Sequence, residues 1–319
     1  MLTREEFHNL LQSGPILLDG ATGTNVQKDG MPRGCCTEQW VLEHPDALLA
    51  LQRRYALAGS KILYAPTFQA QPIALERLGL AEKTEELNAQ LVAMTRAAAP
   101  NCLVAGNIAT LAAFTDSYDE ANFDLLVENY SRQIRGLIDG GADILAAETL
   151  MYPLEAEAIL TAAELEGAGA AIYTFTMQPD GSLFSGRDAA PILRELEQAG
   201  AAAVGFNCVA ADAMTPYLVS KLRREVRGPL VCKPNAGIPV IGEDKIPHYP
   251  MESEEFSEII AQCAANGANV LGGCCGTAPE FIEAVRMRLG LCLNIIKAST
   301  PPTIVPRNWH VMACRKAPP

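Results

Sequence analysis

The chain has 319 residues, 49% of them hydrophobic and 19% charged, which excludes the disordered classes and leaves ample material for a core. Its 25 Lys+Arg against 37 Asp+Glu leave a formal charge of −12, the wrong sign for a surface that binds nucleic acid. No apolar run approaches the ~20 residues that a membrane-spanning helix needs.

In chain order, the N-terminus MLTREEFHNLLQ carries Glu5 and Glu6 and lacks the apolar stretch of a secretory signal, so it reads as a short amphipathic helix. Short β-rich segments follow at 15–18, 61–65, 103–106, 143–147, 171–176, 203–207, 230–234 and 269–272. Helical patterns alternate with them at 45–58, 84–99, 123–139, 154–166, 189–199, 213–227, 253–266 and 279–289. Several of these helices run into Gly59, Gly140-Gly141, Gly200 or Gly267, residues that favour a left-handed C-terminal cap. Eight strands, each followed by a helix, give an α/β chain whose expected architecture is a single-domain (β/α)8 barrel. The strands are apolar throughout because a parallel sheet is buried on both faces. The barrel is expected over residues 1–290, with 291–319 a C-terminal extension that opens on the irregular STPPTIVP stretch. The open doubly wound sheet is the alternative. Gly20-Ala21-Thr22-Gly23-Thr24 matches its GxGxxG phosphate loop poorly, which argues against a dinucleotide site.

Barrel enzymes carry their chemistry at the C-terminal ends of the strands. There the sequence places Asp19-Gly20-Ala21-Thr22, Pro66-Thr67, Asn107, Glu148-Thr149, Asn207-Cys208, Pro234-Asn235 and Gly272-Gly273-Cys274-Cys275-Gly276-Thr277. Three of the ten cysteines thus meet one rim, and three thiolates leave the fourth tetrahedral position of a zinc ion open, as catalytic sites do. Adjacent Cys274 and Cys275 can share an ion only where the backbone bends, which the flanking Gly272, Gly273 and Gly276 allow. The blander reading is that buried cysteines are small hydrophobes, and Cys102, Cys232, Cys263, Cys292 and Cys314 are assigned so. Cys35-Cys36 reads as loop lining. Ten cysteines without a secretory leader point to a reducing compartment, and the expected location is the cytoplasm.

Taken together, the DGATGT, NC, PNAG and GGCCGT segments resemble the homocysteine S-methyltransferase family, from about residue 17 to residue 289. The family includes the homocysteine-binding module of cobalamin-dependent methionine synthase, betaine–homocysteine methyltransferase and S-methylmethionine-dependent enzymes. The resemblance implies a (β/α)8 barrel with Zn2+ on Cys208, Cys274 and Cys275. It implies Glu148 on the homocysteine amino group, with Asp19 near the same amino acid. Thr22 and Asn235 are further candidate substrate contacts, and Asn235 is alternatively a turn-capping amide. Two departures stand out: Ala65-Pro66-Thr67-Phe68 replaces the usual TNTF, and Asn107 occupies a position where serine is common. The expected reaction is methyl transfer to homocysteine, giving methionine. The chain shows no folate- or cobalamin-binding module, so the donor is expected to diffuse in or arrive on another chain. Gly276-Thr277 after the cysteines resembles the cobalamin-linked branch, so the expected donor is a methyl-corrinoid protein, with S-methylmethionine or a similar small cation as the alternative. Rival readings are a Schiff-base lyase or aldolase using Lys233, against which stands a Lys233–Glu148 ion pair, and a non-catalytic zinc-binding partner protein. His8, His44, His248 and His310 lie away from the strand ends and support no hydrolytic triad.

Overall fold

The computed structural model describes residues 1–112, 122–242 and 247–293. Its strands are β1 (Ile16–Leu17), β2 (Ile62–Tyr64), β3 (Leu103–Ala109), β4 (Ile144–Leu150), β5 (Ala171–Phe175), β6 (Ala203–Ala210), β7 (Leu230–Asn235), β8 (Val240–Ile241), β9 (Pro247–His248) and β10 (Val270–Leu271). The helices are α1 (Arg4–Leu10), α2 (Gly23–Lys28), α3 (Thr37–Glu43), α4 (Pro45–Ala58), α5 (Pro72–Glu76) and α6 (Thr84–Ala98), then α7 (Phe123–Asp139), α8 (Pro153–Leu165), α9 (Ala189–Gln198), α10 (Thr215–Arg223), α11 (Ser253–Ala265) and α12 (Pro279–Arg288).

Eight parallel strands run in the order β1-β10-β7-β6-β5-β4-β3-β2. The ring closes through a parallel bridge between Leu18 and Ile62, where the Lys61 N–H donates to the Leu17 carbonyl at 2.7 Å. This is the expected (β/α)8 barrel. β8 and β9 form a separate antiparallel hairpin in the loop that follows β7. The 3.6-residue periodicity located α4 and α7 to the residue, because both are long and each has one apolar face. It did not show α2, α3 and α5, which have five to seven residues and are too short to display a period. The tail segments with Cys314 and His310 lie outside the described residues.

Two packed layers hold the barrel. Between sheet and helices lies a large cluster that includes Tyr55, Tyr130, Tyr173, Phe175 and Phe206. Inside the barrel, Ile16, Leu18, Ile62, Tyr64, Ala105, Ile144, Ala146, Ile172, Ala203, Val231 and Val270 form a second cluster, plugged by Phe7 of α1. Strand side chains alternate between faces, so counting two residues onward from this layer reaches the next one up. Ala105 leads to Asn107, Ala146 to Glu148, Ile172 to Thr174 and Val231 to Lys233. The interior therefore changes from apolar to polar within one step, about 7 Å of rise, toward the C-terminal end.

Candidate active site

The polar layer forms the floor of a cavity of about 360 Å3, lined among others by Gly20, Thr22, Glu38, Tyr64, Asn107, Glu148, Lys233, Cys208, Cys274 and Cys275. The Sγ atoms of Cys208, Cys274 and Cys275 lie within 4.8 Å of one another. Among the described residues no fourth His, Cys, Asp or Glu joins them. The three sulfurs can hold one metal ion, and the ligand set stays open on one side.

Backbone geometry brings them together. Cys208 has φ 57 within an irregularity of β6 between Asn207 and Ala210, a left-handed conformation that costs a non-glycine residue about 1–2 kcal/mol. The sequence-based end of this strand at residue 207 missed that bulge, which carries the strand to Ala210. On the other side the chain turns through Gly276 at φ 81, where an added Cβ would lie 2.3 Å from the Tyr249 ring. Of the glycines flanking the cysteine pair, this one takes the left-handed conformation. Gly273 is instead small because a Cβ would strike the Thr277 side chain at 2.4 Å.

The cluster shares its protons unevenly. Hydrogen bonds from Cys208 and Cys274, aided by Tyr249 and the Lys233 charge, hold the Cys275 thiol down to about 3. Cys208 is pushed far up, first by its hydrogen bond with Cys274. One sulfur is thus readily a thiolate, the form that binds metals.

Beside the sulfurs, Glu148 and Lys233 are 6% and 3% exposed and pair at 3.2 Å. Lys233 Nζ also lies 4.8 Å from the centre of the Tyr64 ring. Burial alone would lower the Lys233 pKa, but Glu148, Cys274 and Asp19 together raise it well above its ordinary value. A Schiff-base nucleophile needs the opposite, so this geometry disfavours the lyase reading. Asp19, 1% exposed, lies behind the lining residues; its Oδ2 accepts from the Tyr64 N–H at 2.8 Å and its Oδ1 has no partner. Desolvation pushes its carboxyl up to about 7.

Asn207, to which sequence reasoning gave no role, joins three strand ends. Its Oδ1 accepts from the Thr149 N–H at 2.7 Å and the Thr174 hydroxyl at 2.9 Å. Its Nδ2 donates to Thr149 Oγ1 at 2.8 Å and faces Glu148 and Cys274 Sγ at 3.4 and 3.8 Å. Thr149 is the other non-glycine residue with positive φ among those described, at 60°. Thr22 lines the cavity. Asn235 does not: its Oδ1 accepts from the Cys275 N–H at 3.0 Å, the turn-capping role. Cys36 donates to Glu38 Oε2 at 3.2 Å and is not part of the three-sulfur group. His8 reaches the Ala202 carbonyl at 2.9 Å at the opposite end, and His44 stacks on Trp40.

A family model described as homocysteine S-methyltransferase matches residues 16–289. The chain is 27% identical over 292 residues to a methionine synthase of Mycobacterium leprae, covering 86% of this chain and 24% of that protein. It is 28% identical over 296 residues to the methionine synthase of Mycobacterium tuberculosis, covering 87% of this chain and 25% of that protein. It therefore spans about a quarter of the length of these curated relatives. The metallated homocysteine methyltransferase MmuM of Escherichia coli superposes with a TM-score of 0.76 at 26% identity, covering 88% of this chain and 99% of that one.

Proposed function

Because the chain belongs to the homocysteine S-methyltransferase family, we propose that it transfers a methyl group to the sulfur of homocysteine, giving methionine, with Zn2+ held by Cys208, Cys274 and Cys275. The observation that carries this reading is the convergence of three sulfurs from two strand ends beside a buried carboxylate in one cavity. The donor set fits the ion: three soft thiols, one of them strongly acidic, with one coordination position unfilled by protein. When bound, such an ion lets an incoming thiol shed its proton at neutral pH without a side-chain base.

The chain's own residues bind and orient the acceptor. One buried carboxylate, Glu148, lines the cavity with a single buried ammonium, Lys233, on its Oε2, and Asp19 lies just behind them. A carboxylate accepts several donors, so Glu148 can also take the α-ammonium of an amino acid. Fixing that end aligns the sulfur with the incoming methyl carbon. Displacement at that carbon forms the new S–CH3 bond as the donor's bond breaks. Asp19, Glu148 and Thr22 are the proposed acceptor contacts.

For the donor we favour a methyl-corrinoid protein on another chain, a reading supported by Gly276-Thr277 after the cysteine pair; S-methylmethionine is the alternative. The reaction is assigned to the barrel of residues 1–290, with 291–319 the C-terminal extension. Cytoplasmic location is the proposed one, in keeping with nine described cysteines of which none is in a disulfide.

The test is metal analysis and transfer assay of the wild type and Cys208→Ala, with methylcobalamin and S-methylmethionine supplied separately. Wild-type protein should hold one zinc and Cys208→Ala should lose both metal and turnover. Full zinc with intact transfer in the variant would overturn the metal assignment. Turnover with S-methylmethionine alone would reverse the choice of donor.

A further inference from the structure

Glu148 owes its orientation to a neighbour that no sequence motif marks. Asn107 lies two residues before the end of β3 on the cavity wall, and its Nδ2 donates to Glu148 Oε1 at 2.9 Å. Only the nitrogen of an amide can face an ionised carboxylate, so this contact sets which way the group turns. Its Oδ1 is left buried without a partner. The other Glu148 oxygen, Oε2, takes Lys233 Nζ at 3.2 Å and Asn207 Nδ2 at 3.4 Å. Among the described residues Asn107 is thus the hydrogen-bond partner that Oε1 has.

Asn107 itself is held rigidly. Its N–H donates to Thr67 Oγ1 at 3.0 Å, while its carbonyl accepts from the same hydroxyl at 2.8 Å and from Gln133 Nε2 at 3.2 Å. Gln133, fully buried on α7, also donates to the Thr67 carbonyl at 2.7 Å. The ends of β2 and β3 are thereby tied to one helix, and Asn107 reaches Glu148 from a fixed base.

We propose that Asn107 is a positioning residue: it holds Glu148 Oε1 away from Lys233, so that the carboxylate stays divided between its resident cation and the ammonium of the acceptor amino acid. Released from Asn107, Glu148 can turn both oxygens to Lys233, and the incoming ammonium must then compete with a tighter pair. Asn107 thus acts on affinity for thiols that carry an α-amine, through Glu148 and not through the sulfur. This rests on the proposed acceptor, homocysteine.

The experiment compares wild type, Asn107→Ser and the near-isosteric, apolar Asn107→Leu, assayed with homocysteine and with its deaminated analogue, using whichever of methylcobalamin or S-methylmethionine supports wild-type turnover. Losing a hydrogen bond to a charged group predicts a KM for homocysteine raised about tenfold in both variants, with kcat little changed. The KM for the deaminated analogue and the zinc content should stay at wild-type values. In a Glu148→Gln background, Asn107→Ser should add nothing further. An equal rise for both thiols, or full additivity with Glu148→Gln, overturns the proposal. A wild type that fails to methylate homocysteine removes the functional reading and this inference with it. An active wild type whose KM is untouched by either variant sinks this inference alone.

Discussion

The two ends of this barrel are built on opposite rules. At the N-terminal end α1 closes the barrel with Phe7 fully buried, and a capping box joins Thr3 and Glu6. Leu2 extends the edge by donating to the Asp143 carbonyl and accepting from the Ala170 N–H, both at 2.7 Å. At the C-terminal end two non-glycine residues hold left-handed backbone, Asp19 Oδ1 and Asn107 Oδ1 are buried without partners, and three ionisable side chains share one floor. One end satisfies its groups. The other holds them unsatisfied for a ligand to complete, and unsatisfied buried groups cost stability.

Three measurements sharpen that contrast. Phe7→Ala should cost the most, about 3–5 kcal/mol of folding stability, because it opens a cavity beneath the barrel interior. Transfer per folded molecule should persist, so denaturant unfolding beside an activity assay separates the two ends. An equal loss of both quantities would show them to be coupled. Asp19→Asn should do the reverse. The Asp19 carboxyl is raised from 3.8 to about 7, so the folded state keeps a proton that the unfolded state gives up. Its contribution is therefore neutral below about pH 4 and increasingly unfavourable as pH rises toward 7. The variant should match the wild type near pH 4 and exceed it by on the order of 3 kcal/mol at pH 7, while binding homocysteine more weakly. Parallel stability curves across that range would contradict the assignment. The smallest effect belongs to Thr3→Ala, where losing the cap should cost about 1 kcal/mol with no change in KM, as thermal unfolding and kinetics would show.

Much of this was legible before any coordinates. The eight strand–helix repeats appear as periodic apolar runs punctuated by glycine, and the cysteines at the ends of the sixth and eighth repeats mark the rim. Lys233 and Glu148 were recognisable as a pair because both lie near the C-terminal ends of their strands. Asn207 and Asn107 were not assigned roles in this way. An asparagine at a strand end reads equally well as a turn residue, and its meaning depends on which side chain lies across from it. Asn235 shows the same ambiguity resolved the other way, committed to the Cys275 N–H.

The sequence by itself determined the barrel and the rim on which sulfur collects, because periodicity and burial are local properties that survive without knowing the neighbours. The tertiary structure decided how the site works. The meeting of Cys208 with Cys274 and Cys275, the Tyr64 N–H on Asp19 and the hold of Asn107 on Glu148 each join residues more than 30 positions apart. Hydrogen bonds and desolvation act over a few ångströms of space, and chain separation carries no record of them.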